Sequence, residues 1–136
     1  MKQAAVIAFM CLGASPLGAR SRGDALGGDI PVVEMAAYLQ AWPAFDRNCF
    51  RCHNGSGEES SPKALEQMDM SRYPFEGRRG AVAGRVIRKA LIGVGGRRTM
   101  PKDDPDSLNT DDMTLILKWA DTFDAARIKK HERTAP

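Results

Sequence analysis

The clearest hydrophobic pattern in the chain lies between residues 78 and 92. Apolar residues there recur at four-residue spacing in two adjacent rows, Val82–Val86–Ala90 and Ala83–Ile87–Leu91. Arg85, Arg88 and Lys89 take the other face, so one face of the segment is apolar and the other is charged. The pattern predicts an amphipathic α-helix over Arg78–Ile92, with Gly93 as its stop signal.

A second apolar stripe lies near the C-terminus. It consists of Met113, Ile116, Leu117, Ala120 and Phe123, with Trp119 beside it. The helix is expected to start at Asn109 or Thr110, because Asp111 and Asp112 would then lie in its first turn, where the helix dipole favours negative charge. We expect Trp119 to be a core aromatic and the residues after 128 to fray.

The N-terminal half has weaker helical signals. Val32–Trp42 could be helical in part, and Pro43 is expected to interrupt it and begin a new helix that runs into Cys49. Ser61 and Pro62 suit the cap and first position of a short helix that ends near Met68. No alternating strand pattern and no internal repeat is present, so the sequence predicts an all-α fold.

The N-terminus has the order of features typical of a secretory signal. Lys2 precedes an apolar run at residues 4–12, and small residues follow, up to Ala19. The run is too short to be a permanent membrane span. The sequence therefore predicts a cleaved signal peptide at 1–19, a flexible lead-in at 20–37, one small folded domain at 38–128 and a frayed tail at 129–136. Export to the periplasm is the expected location.

The most specific motif is Cys49–His53, whose sequence Cys-Phe-Arg-Cys-His matches the C-x-x-C-H pattern of covalent haem attachment. Each of Cys49 and Cys52 can add its thiol across one vinyl group of a porphyrin, and His53 is then placed to ligate the iron. Cleavage of the signal would remove Cys11 and leave no other thiol in an oxidising compartment. One covalently attached haem c is therefore the expected cofactor.

A six-coordinate iron needs a ligand opposite His53, and Met100 is the candidate. It lies in the loop after the Arg78–Ile92 helix and precedes Pro101, which stiffens the backbone beside it. Its alternative role is to fill an apolar gap, the commoner use of methionine. Weaker candidates for the ligand are Met68, Met70, Met113 and His131.

Charge is distributed unevenly, although the formal net charge is only +3. Residues 72–98 are rich in arginine, and residues 103–124 are rich in aspartate. This asymmetry can steer docking with charged redox proteins. Nucleic acid is a poor fit, because the overall excess is slight and no aromatic stripe accompanies the arginines. Some of four arginines are expected to pair with the haem propionates, and the sequence leaves open which: Arg72, Arg85, Arg97 and Arg98.

From Trp42 to Asp124 the chain resembles a small monohaem class I cytochrome c. The resemblance rests on Cys49–His53, on Met100–Pro101 and on the leucine- and tryptophan-containing run Leu115–Asp121. Residues 42–49 and 68–71 also resemble the cytochrome c modules of planctomycete-type proteins. The resemblance implies a helical domain wrapped around haem c, with the Arg78–Ile92 and Asn109–Phe123 helices in the pocket wall.

The function that follows is a periplasmic one-electron carrier with His53 and Met100 as axial ligands. Such a protein is not an enzyme and needs no small-molecule substrate, although it could be a subunit of an oxidoreductase complex. The alternative is a five-coordinate haem c that acts as a gas sensor or a weak peroxidase-like catalyst. A structural zinc site is disfavoured, since it usually needs two separated ligand pairs. A C-x-x-C oxidoreductase is disfavoured too, since no βαβ pattern is present.

Overall fold

The computed structural model describes residues 30–134, and in that range its regular secondary structure is helical. The all-α prediction is therefore confirmed. The helices are α1 (Val32–Asn48), α2 (Phe50–His53), α3 (Pro62–Gln67), α4 (Ala83–Ile92) and α5 (Thr110–Thr134), with a single 3₁₀ turn at Gly80–Val82. Two isolated β-bridges pair Asp69 with Glu76 and Val94 with Arg97. The predicted signal at 1–19, the lead-in up to residue 29 and the last two residues lie outside the described range.

The break predicted at Pro43 is wrong, because α1 runs through that residue without interruption. Pro43 lacks the amide that would bond to the Leu39 carbonyl, but both residues are exposed, so water can solvate that carbonyl. Ala41 and Phe45, on the opposite side of the helix, are fully buried and hold the two halves in line. The helix also takes in residues 32–37, which the sequence assigned to the lead-in.

The core forms where α1 and α4 pack against α5. Trp119, Ile116 and Phe123 of α5 are fully buried, as is Phe45 of α1. The Phe45 and Trp119 rings meet edge to face with centroids 5.0 Å apart, a favoured aromatic geometry. The prediction of Trp119 as a core aromatic is confirmed.

The outer end of the α1–α5 contact contains a buried ion pair. Glu34 is fully buried, and its carboxylate accepts two hydrogen bonds from Arg127, at 2.8 and 3.1 Å. The Tyr73 hydroxyl donates to the same carboxylate at 2.6 Å and accepts from Trp119 Nε1 at 3.2 Å. These bonds tie α1, α5 and the loop before α4 together and give the buried Glu34 carboxylate its partners.

The boundaries of the last two helices differ from the sequence prediction. α4 begins at Ala83 rather than Arg78, preceded by the 3₁₀ turn. It ends at Ile92, and Gly93 caps it with a φ of 86° that favours glycine. α5 continues through 129–134, which were expected to fray. The hydrogen bonds from Arg127 to Glu34 hold α5 against α1 just before this last stretch of the helix. Within residues 30–134 no helix is both long and apolar enough to cross a membrane.

Candidate functional site

The predicted attachment motif forms a separate short helix directly after α1. The Cys49 amide donates to the Phe45 carbonyl at 2.7 Å, so the first cysteine caps the long helix. The chain then turns into α2, where the His53 amide donates to the Cys49 carbonyl at 3.0 Å. This single turn brings Cys49, Cys52 and His53 to one side of the chain, in the wall of one cavity.

That cavity has a volume of about 1310 Å³. Typical small-molecule sites measure roughly 300–1,000 Å³, so this one has room for a large cofactor. Cys49, Cys52, His53 and Met100 all line it, although Met100 is 47 positions beyond His53 in the sequence. The structure therefore brings all four predicted site residues together.

The His53 ring is oriented by a backbone carbonyl. Its Nδ1 lies 2.9 Å from the Met68 carbonyl oxygen. A carbonyl only accepts hydrogen bonds, so Nδ1 must be the nitrogen that carries the hydrogen and donates it. In this tautomer Nε2 has no hydrogen, and its lone pair is free to bind a metal. Ligating histidines commonly have such a partner on the other nitrogen, which fixes the tautomer and raises the basicity of the ligand.

Met68 and Met70 also line the cavity, but they belong to the His53 side of it. The Met68 carbonyl accepts from the His53 ring, and the Met70 amide donates to the His53 carbonyl at 2.7 Å. Both side chains are buried in the core at 4% exposure. Met100 instead comes from the loop after α4, which is fastened to that helix by the Thr99 amide donating to Ala90 at 2.9 Å. Of the three, Met100 is the one whose segment makes no bond to His53.

The apolar wall of the cavity comes from α4 and from the end of the following loop. Its members are Val86, Ile87, Ala90, Leu91 and Leu108, together with the two buried methionines. Of the two helices predicted to form the pocket wall, α4 lines this cavity, whereas no residue of α5, Trp119 included, is part of its lining. Residues of the loop over 94–108 line the cavity as well. His131 lies near the end of α5, and it too is outside the cavity wall.

Cationic side chains surround the same cavity. Of the four arginines suggested for propionate pairing, Arg85 and Arg97 line it. Arg72 and Arg98 instead pair with acidic side chains, at 3.4 and 3.7 Å respectively. Three further arginines line the cavity and were not among those four: Arg47, Arg51 and Arg79.

Burial raises the pKa of the Cys49 thiol to about 12, and the neighbouring Cys52 and Asp112 add to the shift. The thiol is therefore protonated at neutral pH. Cys49 and Cys52 are both free thiols in the structure. Across residues 30–134, no cluster of three or more His, Cys, Asp or Glu side chains is placed to hold a bare metal ion.

The residues at the cavity fit a covalently attached haem. Two free thiols stand three positions apart, the imidazole beside them has its Nε2 unengaged, and the wall between α2 and α4 is apolar. No buried side-chain nitrogen or oxygen in the described residues lacks a hydrogen-bond partner.

No family model, no curated protein and no solved structure matches this chain.

Proposed function

We propose that this chain is a monohaem cytochrome c that carries single electrons between exported redox proteins. The observation that carries the proposal is the convergence of Cys49, Cys52, His53 and Met100 on one cavity of about 1310 Å³. The spacing of the motif supports attachment through two thioether links, and the size of the cavity supports a cofactor as large as a porphyrin.

In this proposal the protein supplies the anchors and the ligands. Cys49 and Cys52 would hold the porphyrin, His53 Nε2 would ligate the iron and the Met100 thioether would be the second iron ligand. Haem iron supplies one-electron oxidation and reduction, and thioether ligation favours its ferrous state. The Met68 carbonyl keeps the imidazole oriented through the hydrogen bond at 2.9 Å.

The apolar wall has a second effect on the same chemistry. Val86, Ile87 and Leu91 line the cavity, and the last two are at least nine-tenths buried. A low-dielectric wall disfavours the more highly charged ferric state, so burial raises the reduction potential in the same direction as the thioether. No bond-making chemistry is required of the protein, which is consistent with an electron carrier rather than an enzyme.

The second candidate is a five-coordinate haem c that binds a small ligand. One observation favours it, since Met100 is 37% exposed and lies in a loop rather than in a helix. In that case the sixth position would be open, and the protein would act as a gas sensor or a weak peroxidase-like catalyst. Carbon monoxide added to the reduced protein separates the two, because an open site binds it rapidly and a methionine-ligated site does not.

The test is production of the full chain in a bacterial host that has a c-type maturation system. We expect a periplasmic product that lacks residues 1–19, has the mass of one haem added, and keeps its colour after denaturation and acid–acetone extraction. The matched variants are Cys49→Ala and Cys52→Ala, each of which should leave a single thioether link. A colourless wild-type product with two free thiols would overturn the proposal.

A further inference from the structure

We propose that the mouth of the cavity docks an acidic redox protein, an inference that rests on the proposed function and names its partner. Exposed apolar side chains belong to the mouth, because Val94 and Met100 line the cavity and are 67% and 37% exposed. Electron-transfer encounters use small interfaces, and interfaces in general have an apolar centre and a polar rim.

The rim of the mouth has an excess of positive charge. Eight basic side chains line the cavity, against three carboxylates. The basic ones are Arg47, Arg51, Lys63, Arg79, Arg85, Lys89, Arg97 and Lys102, and the acidic ones are Glu59, Asp103 and Asp104. The two carboxylates of a bound haem would reduce this excess without reversing it.

Most of this charge is not neutralised within the described part of the chain. Arg47 pairs with Asp112, and Arg51 pairs with Glu59 at 3.1 Å. Five exposed cations form no ion pair within residues 30–134. They are Lys63, Arg85, Lys89, Arg97 and Lys102. Unpaired surface cations project a field that attracts a partner of opposite sign.

α4 shows the same asymmetry within one helix. Arg88, on the side that faces α5, is paired with Asp121 and with Asp124. Arg85 and Lys89 lie one turn apart on the cavity side and have no acidic neighbour in an ion pair. Charge complementarity therefore points to an acidic protein surface as the occupant of the mouth.

The experiment measures the oxidation of the reduced holoprotein by stopped-flow absorbance. The anionic probe is ferricyanide and the cationic probe is tris(phenanthroline)cobalt(III). In each case the ferrous iron loses one electron and the probe gains it. An acidic blue copper protein of the plastocyanin type is the macromolecular probe. The variants are Arg85→Glu and Lys89→Glu, and the matched control is Lys118→Glu, since Lys118 is exposed on α5 away from the cavity.

We expect the rate with ferricyanide and with the copper protein to fall as the ionic strength rises, because salt screens the attraction. At low salt each α4 variant should lower these rates by about threefold or more, and Lys118→Glu by clearly less. The cobalt complex should show the opposite trend. The position of the substituted charge relative to the mouth, rather than the net charge of the protein, would then determine the oxidation rate.

Equal losses in the α4 variants and in Lys118→Glu would overturn the docking site, as would rates that do not depend on salt. A wild-type chain that dimerises through this face, with Arg85→Glu monomeric, would replace the acidic partner by a second copy. A product without haem gives no optical signal at all. That result contradicts the proposed function, and with it this proposal. A product that carries haem but shows equal losses in the variants contradicts the docking site alone, so the two failures are distinguishable.

Discussion

The Asp112 carboxylate accepts a hydrogen bond from the Arg47 guanidinium, with Arg47 Nε 3.1 Å from Oδ2. Asp112 is 3% exposed and lies in the first turn of α5, and Arg47 lies two residues before Cys49. Asn48 donates to the same carboxylate at 2.8 Å. The two residues that precede the attachment motif are therefore fastened to the start of the last helix, 64 and 65 positions away.

This contact predicts a stability loss in Asp112→Asn. The change removes the charge that Arg47 and Asn48 bind, and hydrogen bonds to charged groups contribute roughly 1.5–3 kcal/mol. We expect the free energy of unfolding in urea to fall by about 2 kcal/mol. The matched control is Asp111→Asn, the neighbouring exposed residue in the same turn, which should lose only about 0.5 kcal/mol of helix-dipole stabilisation. Equal losses in the two variants would show that the pairing with Arg47 contributes nothing.

The same carboxylate predicts a dependence of stability on pH. The hydrogen bond from Arg47 lowers the pKa of Asp112 below its usual value, and the bond from Asn48 lowers it further, against an opposing effect of burial. In the unfolded chain Asp112 binds its proton at a higher pH than in the folded chain, so its contribution is present above about pH 4 and is lost as the pH falls through the folded pKa. Urea denaturation from pH 2.5 to 6 should show this loss in the wild type and a smaller one in Asp112→Asn. An identical slope for both would contradict it.

The iron-ligand assignment predicts a specific effect of Met100→Leu. Leucine keeps the approximate volume but removes the sulfur, so the reduced protein should bind carbon monoxide and the reduction potential should fall by on the order of 0.1 V, within the roughly 0.8 V that axial ligands span. Met70→Leu is the matched control, since Met70 also lines the cavity but lies on the His53 side. Optical titration and redox potentiometry measure both effects. Carbon monoxide binding in Met70→Leu alone would make Met70 the ligand.

The buried ion pair between α1 and α5 predicts a large effect of Arg127→Met. Glu34 has no exposed surface, so loss of Arg127 leaves its carboxylate buried with only Tyr73 as a partner. Breaking such pairs costs roughly 3–5 kcal/mol; because a third of the Arg127 side chain is exposed, we expect about 2–3 kcal/mol. The double variant Glu34→Gln/Arg127→Met should recover part of this loss in urea denaturation. No recovery would mean that Arg127 acts through packing on Phe123, whose ring centroid lies 4.1 Å from its guanidinium carbon.

The raised pKa of Cys49 predicts slow alkylation of the chain produced without haem attachment. The thiolate is the reactive species, and a pKa of about 12 leaves little of it at pH 8. In the Cys52→Ala background, iodoacetamide should modify Cys49 at least about tenfold more slowly in buffer than in urea. The same ratio of the rate in urea to the rate in buffer is measured for Cys52 in the Cys49→Ala variant. The amount by which the Cys49 ratio exceeds the Cys52 ratio measures the effect of burial on Cys49. Circular dichroism checks that the unattached chain is folded, and a Cys49 ratio near one in a folded chain would disprove the prediction.

The sequence predicted the parts of the fold that depend on local periodicity. The α4 and α5 stripes, the Ser61 cap and the stop at Gly93 are all present in the structure, because each needs only neighbouring residues. Pro43 was misjudged because its local cost is offset by the burial of Ala41 and Phe45, which depends on distant partners. The length of α5 was underestimated because its last turns follow the contact of Arg127 with Glu34, a partner distant in the sequence.

For the site, sequence reasoning could identify side chains with distinctive chemistry but not their surroundings. Cys49, Cys52, His53 and Met100 converge as expected. The Met68 carbonyl could not be foreseen, since any residue offers a carbonyl and only the fold decides which one faces an imidazole. The Arg47–Asp112 contact was also missed, because nothing in the sequence relates two charges 65 positions apart.

The loop over 94–108 contributes Met100 and two cations without an ion pair, Arg97 and Lys102, to the cavity, and Leu108 near its end is buried in the core. The Thr99 amide, bonded to Ala90 of α4, and the buried Leu108 anchor the loop, so a replacement of residues 100–107 keeps both anchors. If the chain carries haem as proposed, the second iron ligand and part of the charge at the mouth could therefore be exchanged by transplanting this single segment.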